Sequence, residues 1–341
     1  MTSPAPTSLP PAWFVGDANL PNERHTIWNA SWVSVARAED LAHPGSFVTA
    51  SIAGNPVVVV RGKDGELRAM SNVCTHRGST LVDGAGTASA LQCPYHGWTF
   101  RLNGELAAAP QMPGLETADH CLPVFAVEVW QGWVFVNLDD AAVPLRTALS
   151  ELDELVEPYD LAGLRRVGTI ESVVDVNWKL VVENFAESYH HASVHPVTLH
   201  KDFPGHKSRV AEHSGQPWMW LDHESTNDDV EPFAVVLAFP AHMFTIIRAI
   251  GMDWIKLEVL SPTQTRLVSE LFLPEHLCEN DALIAMLLKS MEEVNAEDSA
   301  CLERVQTGLS SQWAPQGPVS PLEKGCDQFR TWLRSRLAPP S

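Results

Sequence analysis

Basic charge is scarce in this chain: 23 Lys and Arg stand against 42 Asp and Glu, a formal net charge of −19. An acidic surface of that kind argues against nucleic acid and anionic membranes as partners. Long apolar runs are missing too. Val57–Val60 has only the length of a buried strand, and nothing approaches a membrane span. The opening residues Met1–Thr7 lack the basic-then-apolar order of a secretion signal and read as a short, proline-rich disordered lead. Cysteines are few and have no framework spacing. Cys121, Cys278, Cys301 and Cys326 are scattered, which excludes a disulfide scaffold and reads as reduced thiols in a cytoplasmic protein. No internal repeat is evident. No Gly-x-Gly-x-x-Gly follows a strand and no flavin site is visible, so this chain is not expected to bind a nicotinamide or a flavin itself.

What is present is enough for two domains. The chain has 341 residues, 45% of them hydrophobic, and twelve tryptophans. From about Trp32 to Leu138 short β-rich runs (Pro56–Arg61, Leu67–Asn72, Val124–Val129, Gly132–Asn137) alternate with turn signals such as Asn103-Gly104. An acidic helical stretch, Leu149–Val156, and a strand near Val167–Val176 follow. Strands are then expected at Phe233–Phe239, His242–Ile250, Asp253–Leu260 and Arg266–Leu273, with helices at Leu283–Leu309 and Leu322–Leu337. Strands with segregated helices make the class α+β.

Two couplets carry the first chemical signal: Cys74-Thr75-His76 and Cys93-Pro94-Tyr95-His96, sixteen residues apart. Two thiolates and two imidazoles could hold a tetrahedral zinc, but zinc couplets keep two to four residues between ligands and the first couplet has one. A [2Fe–2S] cluster with cysteines on one iron and histidines on the other suits the spacing better, each loop giving one ligand to each metal. Gly78 and Gly97 follow the couplets and are expected to leave room for two loops to close over a cluster.

The pattern Cys-x-His, sixteen residues, Cys-x-x-His-Gly-Trp resembles the signature of the Rieske non-haem iron oxygenases, specifically their terminal oxygenase (alpha) subunits. The resemblance implies a small all-β Rieske domain over 32–142 and an antiparallel-sheet, helix-grip catalytic domain over 143–341. Residues 1–31 would form a lead packed on the catalytic domain. Cys74, His76, Cys93 and His96 would hold the [2Fe–2S] cluster, and a mononuclear Fe(II) would occupy the second domain.

The second signal lies in Asn177–Pro196, read as one helix with a disturbed end, because Pro196 biases His195 away from helical geometry. Histidines and a carboxylate clustered at this end suit a non-haem iron with open positions. His191 and His195, four apart, would share a helix face. His190 and His195 are about 140° apart on an ideal helix and converge only if it distorts. Geometry favours His191; the family pattern, an acidic residue, two others, His, four others, His, falls on Glu187, His190 and His195. A distant carboxylate should complete the set. Asp298 matches the family position, Glu297 is the alternative, and either could simply solvate a helix face. His200, His206 and His213 read as ordinary histidines. The resemblance also gives Glu187 a role as a bridge between His96 of one subunit and His190 of its neighbour in a homotrimer.

These resemblances imply an oxidoreductase that uses dioxygen. Electrons would come from a separate NAD(P)H-dependent reductase of flavin and iron–sulfur type, directly or through a ferredoxin. The substrate would be a small molecule. Glu at the bridging position, where Asp is commoner, is similar to the carnitine, choline and betaine monooxygenases, so hydroxylation or N-demethylation of a quaternary ammonium compound is the expected outcome. Trp218, Trp220, Phe233, Phe239, Phe244 and Trp254 could then form a cation–π cage. An aromatic-ring dihydroxylating dioxygenase and a non-catalytic Rieske electron carrier are the alternatives.

Overall fold

The computed structural model describes residues 7–16, 18–213 and 215–337. Most of the expected lead, residues 1–6, and the Pro339-Pro340 stop lie outside these. Trp28–Arg146 forms one compact unit; the segment up to Ile27 joins Thr147 onward in the other.

The first unit is built on a seven-stranded sheet in the order β1-β10-β9-β4-β3-β2-β5 (Val33–Arg37, Trp133–Asn137, Val124–Trp130, Leu67–Ser71, Asn55–Arg61, Ser46–Ile52 and Ala85–Thr87). All its pairings are antiparallel. The four valines of β3 are all buried, so both faces of this strand are covered, as β-branched runs favour. A small three-stranded sheet, β6 (Leu91–Gln92), β7 (Thr99–Phe100) and β8 (Leu106–Ala108), completes the unit. The first couplet lies between β4 and β5, the second between β6 and β7.

The second unit carries a seven-stranded antiparallel sheet ordered β11-β17-β16-β15-β14-β13-β12 (Arg165–Val174, Gln264–Leu273, Gly251–Ser261, His242–Ile247, Phe233–Ala238, Trp218–His223 and Arg209–Val210). The helix Asp281–Leu309 is capped by Asn280, whose side chain accepts from the Leu283 N–H. It approaches β11 so closely at Gly168 that a Cβ there would stand 2.7 Å from a methyl of Leu288. The early segment docks on this unit. The Ser8 N–H donates to the Gly317 carbonyl (3.0 Å), and Gln306 donates to the Phe14 carbonyl (3.0 Å).

The single helix expected over 177–196 is two pieces, Trp178–Phe185 and the one-turn His191–Val194. The break falls at 186–190, upstream of Pro196, and His195 (φ −118°, ψ 47°) ends the second piece. The first helix is anchored at two points: Glu183 accepts from Nε and Nη2 of Arg330, each at 2.8 Å, and Lys179, wholly buried, pairs with Glu23 at 2.6 Å. Burial pushes the Lys179 ammonium down, and the neighbouring Glu23 and Glu183 oppose this.

Candidate metal centres

The two couplet loops share one construction. Gly78 N–H donates to the Cys74 carbonyl (2.9 Å) and Gly97 N–H to that of Cys93 (3.0 Å). Cys74 N–H donates to Ser79 O (2.8 Å) and Cys93 N–H to Trp98 O (2.7 Å). Gly78 and Gly97 hold φ of +75° and +71°. The left-handed backbone at both positions favours glycine; a Cβ would meet no protein atom within 4 Å at Gly78 and the Pro110 ring at 3.6 Å at Gly97. Both sulfurs are buried and lie within hydrogen-bonding reach of each other. Burial raises the Cys74 thiol. At Cys93 burial is outweighed by the backbone N–H groups of Tyr95 and His96, which hold that thiol below its ordinary range.

The imidazoles of the couplets approach with ring centroids 4.7 Å apart, and His76 stacks on Trp98 at 4.7 Å. Burial, then the neighbouring His96 and Arg77, keep His76 below its ordinary value and therefore neutral. Its Nδ1 is buried and no protein group bonds it. Two adjoining thiols, two imidazoles and an orphaned ring nitrogen fit a cluster with mixed sulfur and nitrogen ligation.

In the second unit one ligand atom each from His190, His195 and Asp298 falls within a 4.8 Å span. Asp298 Oδ1 lies 2.9 Å from His195 Nε2 and 3.5 Å from His190 Nε2. Asn184, on the last turn of its helix, donates to the same oxygen at 2.8 Å. The far nitrogens are both taken by carboxylates: His190 Nδ1 lies 2.6 Å from Glu187 Oε1, and His195 Nδ1 lies 2.7 Å from Glu297 Oε2. Thr198 donates to that Glu297 oxygen at 2.6 Å. Burial would depress His195, but Asp298 and Glu297 outweigh it and raise its affinity for protons. Two imidazoles and a carboxylate, with second carboxylates fixing each tautomer, fit a facial non-haem iron site.

His191 and His195 do share the turn His191–Val194, the His195 N–H donating to the His191 carbonyl at 3.0 Å, but the His191 ring is not among the three groups that converge. His191 instead sends Nδ1 to the Phe203 carbonyl (3.2 Å) and stacks on His223 at 5.1 Å. Burial first, and His190 next, push it down to about 4. Glu297, weighed as a ligand, sits behind His195 instead. Glu187 also accepts from the backbone N–H groups of Tyr189 and His190, tying the broken segment together.

A cavity of about 410 Å³ opens beside this set. The strands turn their odd-numbered residues to it: Met243 and Thr245 of β15, Asp253 and Ile255 of β16, Leu267 and Leu271 of β17. Parity undoes the expected aromatic cage. Of its six rings only Phe233 lines the cavity, while Trp254, one residue from Asp253, packs on the other face against Phe272. Sequence reasoning missed Asp253, His223 and Asn184. The strand alternation around Asp253 could have flagged it, as a charge on an apolar face.

Residues 31–125 match the Rieske [2Fe-2S] domain, and residues 161–339 match the ring hydroxylating alpha subunit (catalytic domain). The carnitine monooxygenase oxygenase subunit of Acinetobacter pittii is 34% identical over 195 residues, 55% of this chain and 53% of that protein. The glycine betaine monooxygenase oxygenase subunit of Chromohalobacter salexigens is 35% identical over 195 residues, 56% of this chain and 44% of that one. The chain thus spans about half the length of the curated relatives it matches. A solved quaternary ammonium Rieske monooxygenase, described for carnitine oxidation and inter-subunit electron transfer, superposes with a TM-score of 0.88. It is 25% identical, with 97% of this chain and 96% of that one covered. No helix among the described residues is long and apolar enough to cross a membrane. With a catalytic-domain match over more than half its residues and a Rieske match before it, the chain belongs to the ring-hydroxylating oxygenase alpha subunits, whose cofactors are a Rieske [2Fe–2S] cluster and a mononuclear iron.

Proposed function

We propose that this chain is the terminal oxygenase of a multicomponent system that monooxygenates a quaternary ammonium compound, by hydroxylation or N-demethylation. Its electrons come from a separate NAD(P)H-dependent reductase, and it works as a cytoplasmic homotrimer. The observation that carries the reading is the convergence of His190, His195 and Asp298 on a mostly apolar cavity, in a chain that also holds the Cys74/His76 and Cys93/His96 loops. The relatives named for carnitine and glycine betaine support the substrate class.

Cys74, Cys93, His76 and His96 would hold the cluster, and His190, His195 and Asp298 the iron. Together these groups supply reductive activation of dioxygen. The residues of the chain do the positioning. Glu187 and Glu297 would each accept a hydrogen bond from the Nδ1–H of one imidazole, leaving both Nε2 atoms free for a metal. Asn184 orients Asp298 through a single hydrogen bond. Met243, Ile255, Leu267 and Leu271 keep water off the substrate. In the trimer Glu187 would also accept from His96 of the partner subunit, a short hydrogen-bonded path for the electron. The exposure of His96 supports that arrangement, as does the inter-subunit transfer described for the solved relative.

Iron-loaded, reduced protein should be mixed with dioxygen and a panel of methylated amines and aromatic compounds, with products read by mass spectrometry. Demethylated or hydroxylated amine is expected. A cis-diol from an aromatic compound, with the amines untouched, would replace this reading with ring dihydroxylation.

A further inference from the structure

The cavity wall is lopsided in charge. Away from the His190/His195/Asp298 set and its Glu187 bridge, it carries the carboxylates Asp202, Glu231 and Asp253, and no lysine or arginine among the described residues. Asp253 stands out among the acids. It sits near the start of β16, between Met252 and Trp254, its Oδ1 is sealed from solvent, and no described protein donor reaches it. Burial alone pushes this carboxyl up to about 7. A lone buried carboxyl is costly to ionise, so a site that keeps one needs a positive occupant to offset it.

We propose that Asp253 is the counter-charge for the substrate's ammonium group, and that the preferred substrate is a monocationic methylated amine without a carboxylate. The inference rests on the amine-oxidising function proposed above and narrows it. The zwitterions carnitine and glycine betaine carry an anionic end that no positive side chain of this wall can meet, and that Asp202, Glu231 and Asp253 repel. A choline-like alcohol or a simple alkyl ammonium lacks that end. Asp253 here is a specificity-determining residue: it answers the charge of the substrate while Ile255 and Leu271, also on the wall, cover its methyl groups.

The test compares ligands that differ in one charge. Glycine betaine and its methyl ester share a trimethylammonium group, and only the first bears a carboxylate. Binding of both, of choline and of the uncharged isostere 3,3-dimethylbutanol should be measured on the iron-loaded holoprotein by calorimetry. The ester and choline are expected to bind at least about thirtyfold more tightly than glycine betaine, the scale of a desolvated charge pair. In Asp253→Asn the preference should collapse towards unity, while 3,3-dimethylbutanol binds as before or better. Glycine betaine binding as tightly as its ester would overturn the proposal and leave the quaternary ammonium reading standing. So would an unchanged preference in Asp253→Asn. Failure of every amine to bind, with an aromatic compound bound instead, would overturn both. If the variant does not fold, the ester-to-betaine comparison in the unaltered protein decides alone.

Discussion

Each imidazole that faces Asp298 carries a carboxylate on its far nitrogen, and the two carboxylates come from different parts of the chain. Glu187 is local to His190, whereas Glu297 reaches His195 from the long helix. A carboxylate behind a metal-bound imidazole fixes the tautomer and raises its basicity, so its loss weakens metal affinity by about 10–100-fold. Glu297→Gln should therefore keep the cluster spectrum but raise the iron concentration needed for half-occupancy by that factor, measured by equilibrium dialysis. Asp298→Ala removes the only carboxylate that both Nε2 atoms face. Its iron content should fall from about three per chain to about two, with the red-brown colour kept and turnover abolished. Retained turnover would remove Asp298 from the ligand set. His191→Ala should keep its iron, because that ring spends its Nδ1 on the Phe203 carbonyl.

At the level of elements, the helix Trp178–Phe185 is the fixed point from which Asn184 and the broken segment project. Its anchor is a buried pair, Lys179 with Glu23, and Glu23 also accepts from the Trp178 indole at 2.8 Å. Removing one partner strands a charge, so Glu23→Ala should cost about 3–5 kcal/mol in denaturant unfolding. A loss below about 1 kcal/mol would mean that water reaches Lys179. None of this was legible beforehand, since a glutamate in the opening segment says nothing of a lysine more than 150 residues on. The couplets were legible because ligand and glycine spacing is local. Strands such as β3 and β17 were legible from valine runs and turn residues. Other features were set by tertiary contacts that single-sequence periodicity does not encode: the choice between His190 and His191, the exclusion of Trp254 from the cavity, and the strand β13. The break at 186–190 has no proline or glycine to announce it; Glu187 makes it by capturing the N–H groups of Tyr189 and His190.

For the whole molecule, the charge of −19 and the proposed subunit bridge govern electron flow. If the proposed reductase docks through a basic face, this acidic surface steers it, and the second-order rate of cluster reduction should fall steeply as ionic strength rises. A flat salt profile in stopped-flow reduction would set that steering aside. Glu187→Gln, supplied with enough iron to offset the weaker binding expected when the carboxylate behind His190 is lost, should fill both metal centres and keep the proposed trimer. Single-turnover transfer from cluster to iron should slow by roughly 10–100-fold; transfer at the normal rate would refute the bridge.

The order in which the catalytic unit is synthesised adds a constraint. His190 and His195 emerge about a hundred residues before Asp298, and Phe14 waits 292 residues for its donor, Gln306. While the ribosome is still making the sheet, the nascent chain owns two imidazoles and no third ligand. With the ligand set proposed above, iron loading would wait for the helix Asp281–Leu309 to bring Asp298 to the two imidazoles. Contacts so distant in sequence also close slowly, which leaves half-built chains exposed for longer.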